Sequence, residues 1–363
     1  MKLLAADSRL QKALDLLCTH APLYGDFSEI SVNWLPADGS FCWTREGDRL
    51  TLRADSISDA LCLLGRALIK PQENAECLTP RFSRLAAMVD LSRNSVYTVS
   101  TMKRFLCQLA LMGFNTAYLY MEDTYELPGY PYFGYRRGRY SVAEQRELDD
   151  FANALGIELV PCIQTLAHLR TAIRWQYMAP MRDTVDNLMV GQEGTVSLVE
   201  AMIAHFSKTF RSRRIHLGMD EAVSLGTGRY LRHQGYRSHR EIIMEHLQIT
   251  CSLCKKYGLE PMIWDDMLFR DQTPLMNYYG DSAPLTRKKR PNSRTTSPLC
   301  TGITTTIPRK TMSGSSVAEA VSRHSLQVVC GNGAAGFLIS QKASMTASAP
   351  RKHAVPTVYR RLW

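Results

Sequence analysis

His216-Leu217-Gly218-Met219-Asp220-Glu221, an apolar strand-like run ending in two adjacent acids, carries the chain's most informative chemistry. Two carboxylates in one pocket can pass a proton and steady a positive charge, which is the work of general acid–base catalysis. Paired charges at a strand end are unfavourable unless solvent or chemistry uses them. Neighbouring side chains on a regular strand point to opposite faces. Asp220 and Glu221 therefore serve one pocket only where the strand stops and the backbone turns, as at the C-terminal rim of a parallel barrel. The competing reading is a strand end running into a helix N-terminus, where acids favour the macrodipole.

A strand–helix rhythm that begins near Leu85 supplies such a rim. Apolar strands are predicted at Leu85–Leu91, Thr116–Met121, Ile157–Ile163, Arg214–Met219 and Leu259–Trp264. Helices are predicted at Thr101–Met112, Ser141–Leu155, Ser197–Phe210 and Arg240–Tyr257, with Gly113, Gly156 and Gly258 placed as C-terminal caps. Alternation with near-continuous apolar strands implies an α/β fold with a parallel sheet, and its length and repetition favour a (β/α)8 TIM-type barrel. No G-x-G-x-x-G follows the first strand, so the usual dinucleotide signal is missing. The strand ends carry Asp90 and Arg93, then Glu122 and Asp123, then Gln164, Thr165 and His168, then Asp220 and Glu221, then Trp264, Asp265 and Asp266. Five such termini in succession place an active site on the rim.

Residues 1–80 are predicted to form a small α/β domain in support of that barrel. Arg49–Ala54 alternates as a strand, and Ser56 is positioned to cap a helix over Ile57–Ile69. The opening Met1–Ala6 hints at a signal peptide, but Asp7 and Arg9 cut its apolar run short. No window approaches the roughly 18 apolar residues of a membrane span. Ten cysteines show no disulfide framework, and Cys251-x-x-Cys254 sits in a helical pattern without a second pair, so free thiols in a reducing cytoplasm are expected. His216 and Asp220 have helical i, i+4 spacing on a strand, which argues against a metal site. No cofactor is expected.

Six stretches of rim and loop sequence resemble glycoside hydrolase family 20. They include Met88-Val89-Asp90-Leu91-Ser92-Arg93-Asn94, Tyr118–Thr124, Pro131–Tyr135, Arg137–Tyr140, Pro161–Leu169 and His216–Glu221, and the closest likeness is to bacterial exo-β-N-acetylglucosaminidases. The resemblance covers about residues 80–285. It implies that the substrate is an amino-sugar glycoside or oligosaccharide and that its own 2-acetamido oxygen is the nucleophile. Asp220 would orient the acetamido group and stabilise the oxazolinium intermediate, and Glu221 would serve as general acid and then base. That assignment asks for Glu221 neutral and Asp220 ionised. Arg93 would grip sugar hydroxyls, with a structural ion pair to Asp90 as the alternative. His168 would stand beside the acid, Trp264 would wall the sugar, and Glu122 and Asp123 are weaker substrate-binding candidates. A family-18-like chitinase would need D-x-x-D-x-D-x-E, which residues 214–221 lack. Preference between N-acetylglucosamine and N-acetylgalactosamine, and the oligomeric state, are left open.

The pattern stops after about Arg287. Residues 291–363 hold 19 Ser and Thr but three aromatics, and five strands cannot close an eight-stranded barrel. The expected domains are therefore 1–80, barrel strands one to five over 81–287, and a poorly ordered tail over 288–363. Loss of three strands should leave exposed sheet edges. The net charge of +10 also divides here: residues 1–280 hold 31 basic and 32 acidic residues, and 281–363 hold 13 and 2. A shift of reading frame near Lys288–Arg290 accounts for both changes. Codons for Leu299–Thr306, read one frame over, permit Val-Tyr-Trp-Asp-Tyr-Tyr-His, and those for Val328–Ala334 permit Gly-Val-Trp-Lys-Trp-Gly, both aromatic runs of the family's kind. A nucleic-acid-binding arm is the rejected alternative, since the tail's basic residues lack interleaved aromatics for stacking. The two functional readings are thus a β-N-acetylhexosaminidase and an inactive or carbohydrate-binding remnant of one.

Overall fold

The computed structural model describes residues 2–21, 29–80, 83–93, 95–264 and 267, together with the backbone of three short strands further on. The N-terminal unit comprises β1 (Lys2–Ala5), α1 (Ser8–His20), β2 (Glu29–Leu35), β3 (Phe41–Glu46), β4 (Arg49–Arg53), α2 (Ile57–Leu68) and β5 (Ala75–Leu78). Its five strands run in the order β1-β2-β4-β3-β5. The Ser56 hydroxyl accepts from the Asp59 amide at 3.1 Å, the expected cap of α2. Gly65 on α2 is forced by packing, because a Cβ there would sit 2.1 Å from the Leu111 carbonyl oxygen of the next helix. Trp43, Leu50, Leu61 and Leu64 join a core continuous with that of the barrel. One cysteine expectation fails: Cys42 and Cys77, in register on β3 and β5, form a disulfide. Cys251 and Cys254 are buried free thiols, as read.

The barrel segment follows as β6 (Arg84–Asp90), α3 (Val99–Leu111), β7 (Thr116–Met121), α4 (Val142–Ala154) and β8 (Glu158–Ile163). After β8 come a single turn α5 (Arg170–Ile173), a 3-10 turn (Gln176–Met181) and α6 (Glu193–Thr209). Then β9 (Arg214–His216), α7 (Arg229–Gln234), α8 (His239–Lys256) and β10 (Glu260–Trp264) complete it. The five strands β6 to β10 are parallel neighbours in chain order. Their middle residues are largely apolar on both faces because each face is covered, whereas β9 carries Arg214 and His216 inward. Ala87, Val89, Leu119, Leu159 and Ile263 pack outward on the helices, whereas Ala86, Met88, Tyr118, Tyr120, Val160, Cys162, Met262 and Trp264 form a separate inner cluster. That period-two split is the inside and outside of a barrel wall.

Eight strands do form one sheet, but not as a regular barrel. The three tail strands are β11 (Thr304–Thr306), β12 (Leu326–Cys330) and β13 (Ala335–Gln341). β11 pairs antiparallel with β10, β13 antiparallel with β6, and β12 antiparallel with β13. The parallel run therefore ends at the fifth strand, as expected, while both edges of that run are covered rather than exposed. The expected disorder of 288–363 otherwise concerns residues outside those described, as do Asp265 and Asp266.

Candidate active site

β9 stops at His216, three residues earlier than periodicity predicted, because the backbone leaves the β region. Gly218 and Met219 take φ of 70° and 77°, and Glu221 takes 51°. The neighbouring strands hold the departing chain: Leu217 N donates to Met262 O at 2.8 Å, and Trp264 N donates to Gly218 O at 3.1 Å. Position 218 must be glycine, since a Cβ would lie 2.2 Å from Gln164 Oε1. Left-handed non-glycine residues cost roughly 1–3 kcal/mol each and cluster at functional sites. His168, at φ 55°, is another on the same rim.

This turn brings the two acids to one imidazole. His168 Nε2 lies 3.2 Å from Asp220 Oδ2 and 3.6 Å from Glu221 Oε2, an ion-pair arrangement whose angles fall short of a hydrogen bond. The acids thus converge on one side chain instead of facing opposite sides of the sheet. Asp220 is largely buried, and Glu221 is 51 % exposed. Burial would lower the His168 pKa, but contact with Asp220 and the charges of Asp220, Asp186 and Glu122 override it and lift it to about 9. Burial would likewise raise Asp220. The His168 charge and the Gln164 amide hold it instead below the ordinary aspartate value, so it is ionised.

Gln164 is the brace of the site. Its Oε1 accepts from Met219 N at 3.3 Å, which orients the amide. Its Nε2 donates to Asp220 Oδ1 at 2.7 Å and to the Tyr120 hydroxyl at 3.0 Å. Tyr120 in turn donates to Glu122 Oε1 at 3.3 Å. Burial raises the Glu122 pKa, opposed by Arg93, His168 and Arg137. Arg93 is half exposed, stacks its guanidinium 4.7 Å from the Tyr120 ring centroid and pairs with Asp90 at 2.9 Å. Asp90 also accepts from Ser92 N and Arg93 N, so it shapes the turn that presents Arg93.

Trp264 ends the inner row of β10, its ring tilted 52° against buried His216 with centroids 4.6 Å apart, and its Nε1 has no partner among the described residues. Asp123 is 1 % exposed and its carboxylate lies 3.4 Å from Arg137 Nε, an ion pair to the following loop. Tyr118 and Tyr120 share the inner row of β7. Gln164 was visible as a strand end, but its bridging role was not. No group of three His, Cys, Asp or Glu among the described residues could hold a metal ion.

A parallel α/β barrel wall with an acid pair on its C-terminal rim has the architecture of a barrel hydrolase. Comparison with known proteins narrows this. The sequence profile of glycosyl hydrolase family 20, catalytic domain, matches residues 82–286, and the chain belongs to that family. Hexosaminidase D of Bos taurus is 26% identical over 166 residues, 43% of this chain and 48% of that protein. Beta-hexosaminidase 3 of Arabidopsis thaliana is 27% identical over 154 residues, covering 39% and 28%. This chain spans about half or less of the length of these curated relatives. Among solved structures, an exo β-N-acetylglucosaminidase from Vibrio harveyi in complex with N-acetylglucosamine superposes with TM-score 0.60 at 17% identity, covering 72% of this chain and 50% of that one. A β-N-acetylhexosaminidase from Streptomyces coelicolor A3(2) gives 0.57 at 18%, covering 76% and 63%. The fold is that of these enzymes. No helix among the described residues is long and apolar enough to cross a membrane.

Proposed function

We propose that the chain is an exo-β-N-acetylhexosaminidase acting on terminal N-acetylglucosamine or N-acetylgalactosamine by substrate-assisted retention. The observation that carries the reading is the His168 imidazole set between Asp220 and Glu221, with Gln164 fixing Asp220. Ionised Asp220 takes the acetamido N–H and supports the positive charge as the acetamido oxygen bonds to the anomeric carbon. The glycosidic bond breaks as Glu221 delivers its proton to the leaving oxygen. Water then attacks the anomeric carbon, gives its proton to Glu221 and reopens the ring to the amide. In this reading Arg93 and Glu122 hold sugar hydroxyls, and Trp264 walls the pocket. Hydrolysis of a chromogenic N-acetylglucosaminide tests this, with Glu221→Gln expected to lower turnover of a poor leaving group by about 10²–10⁴-fold. Unchanged turnover in that variant sinks the assignment.

A second reading, an inactive or sugar-binding remnant, is favoured by one observation: the parallel run stops at β10 and continues in antiparallel strands. The frame shift near Lys288–Arg290 accords with a family match that ends at residue 286. Resequencing the coding DNA and assaying the frame-restored chain separate the readings. Activity only after restoration supports the remnant; an uninterrupted frame removes the shift. Nucleic acid is not proposed as a ligand, because residues 1–280 hold as much acid as base. A cytoplasmic location rests on the free thiols Cys18, Cys62, Cys107, Cys162, Cys251 and Cys254, with the Cys42–Cys77 bond as the feature against it. Non-reducing peptide mass analysis of protein isolated under thiol block tests the point.

A further inference from the structure

The segment 183–188, which follows the 3-10 turn, bonds to both loops that carry the site. Towards His168, Leu169 N donates to Asp186 O at 3.3 Å, Arg170 N to Asp186 Oδ1 at 3.2 Å, and Leu188 N to Leu166 O at 2.9 Å. Towards Glu221, the Asp183 carboxylate accepts from Gly226 N at 2.6 Å, Gly228 N at 3.2 Å and Tyr230 N at 2.8 Å. The Asp183 carbonyl also accepts from Arg229 N at 3.0 Å, and the residue is 4% exposed. Ser224 adds a second clasp, its hydroxyl 3.1 Å from Thr184 Oγ1 and 3.0 Å from Asn187 Nδ2. Asp183 N donates to Asn187 O at 2.9 Å, so the segment closes on itself and acts as one bracket.

The loop after Glu221 is shaped to receive Asp183. Gly226 takes φ 76°, and a Cβ on Gly228 would lie 2.1 Å from the Asp183 carbonyl oxygen. A buried carboxylate that accepts three backbone N–H groups makes the stronger, charge-assisted kind of hydrogen bond and fixes where each amide sits. The chain it fixes has no helix or strand between β9 and α7 and advances by tight turns. Val223 N donates to Glu221 O at 2.6 Å, Leu225 N to Ala222 O at 3.2 Å and Thr227 N to Ser224 O at 3.3 Å. Glu221 begins that run at φ 51°, half exposed, with its carboxylate 3.6 Å from His168. The bracket therefore reaches the acid from one side and the imidazole from the other. A general acid must lie within hydrogen-bond reach of the leaving oxygen, and a displacement of about 1 Å costs up to about 10²-fold.

We propose that Asp183 is a positioning residue, holding the loop of Glu221 against that of His168 so that the acid meets the leaving oxygen. The inference rests on the hexosaminidase reading and adds to it a buried residue that acts through the loop alone. Values of kcat/KM for the phenyl and the 2,4-dinitrophenyl β-N-acetylglucosaminide, measured on the full chain, test it. This ratio reports the steps through bond cleavage, where phenolate needs a proton to leave readily and dinitrophenolate does not. Asp183→Asn sets an amide against backbone N–H groups. It is expected to lower the phenyl value about tenfold and the dinitrophenyl value by less than about twofold. Ser224→Ala, at an exposed position, should give the same selective loss at about two- to threefold, and it decides alone if Asp183→Asn shows no cooperative urea transition. Equal losses on both glycosides assign the bracket a purely structural role, and no loss on either detaches it from the acid. Each of those results overturns the proposal and leaves the hexosaminidase reading standing. A parent chain that cleaves neither glycoside sinks that reading and this inference with it.

Discussion

The two ends of the barrel wall both carry inward-facing charge, and they treat it differently. At the N-terminal end Arg214 donates to Glu158 through Nε at 3.0 Å and again through Nη2, and to the Tyr118 hydroxyl at 3.4 Å. Burial alone would raise the Glu158 pKa, but Arg214 and the Ser212 hydroxyl bring it below its ordinary value. At the C-terminal rim Asp90 pairs with Arg93, Asp220 and Glu221 meet His168, and Glu122 feels Arg93, His168 and Arg137 without an ion pair as close as that at the opposite end, while the backbone there is left-handed at Met219, Glu221 and His168. Matched charge in regular backbone stabilises. Excess acid in strained backbone is retained where it acts on a ligand. A cleft of about 830 Å³ opens at the N-terminal end, lined by Arg84, Asn115 and Glu158 among others.

The sharpest break of this contrast is Asp220→Asn. It should cut turnover by about 10²–10³-fold, the scale of removing one electrostatic stabiliser of a transition state. Any loss of stability at neutral pH should stay within the roughly 1–3 kcal/mol that pairing with charged His168 supplies, and a larger loss would put the rim in the same structural class as the opposite end. Arg214→Ala should do the reverse, lowering unfolding free energy by about 1–3 kcal/mol, less than for a fully buried pair because Glu158 is partly exposed. Its activity per folded molecule should stay within about twofold of the parent, since a partner at the far end makes no contact with the reacting atoms.

The imidazole gives a third test. The His168 pKa is raised on folding, so its contribution is fully present below about 6.5 and fades as pH climbs through about 9. Unfolding free energy should therefore fall by on the order of 1–3 kcal/mol between those values. His168→Gln should flatten that limb in urea titrations at pH 6, 7.5 and 9. A slope that survives the substitution would assign the titration elsewhere. Asp220 works in the opposite direction: its depressed pKa gives stability above about 4 that is lost as pH falls further.

How much of this was readable beforehand depended on whether the signal was local. Near-continuous apolar runs located β6, β7, β8 and β10 within a residue or so, and Ser56 marked the start of α2, because strand burial and caps are written in adjacent positions. The left-handed turn at Gly218 and Met219 cut β9 short, and only contact with Gln164 on β8 requires it. β1, β2, β3 and β5 were not located individually, their strands being short and half-exposed. Cys42–Cys77 depends on a strand register spanning 35 residues, which spacing cannot supply. Asp220, Glu221 and His168 converge as read, whereas the ion pair of Asp123 with Arg137 spans a loop and has no local signal.

The smallest expected effect falls on Gln164, and it discriminates best between a pocket built for chemistry and one merely packed. Its carboxamide makes three contacts with one fixed orientation: the Met219 amide fixes Oε1, so Nε2 can face only Asp220 and Tyr120. Gln164→Met keeps the volume and removes all three. A lone structural role predicts a stability loss of about 1–3 kcal/mol from unpaired buried groups and an unchanged pH profile. A positioning role adds about a tenfold fall in kcat with KM little altered. It also moves the acidic limb of the pH–rate profile upward, because Asp220 loses a donor that favours its ionised form. Gln164→Glu separates the cases again: it keeps an acceptor for Met219 N but sets a carboxyl against Asp220, so like charge should raise the Asp220 pKa further than the methionine does. An acidic limb that stays put in both variants would remove Gln164 from the catalytic argument and leave His168 as the sole group holding Asp220 ionised.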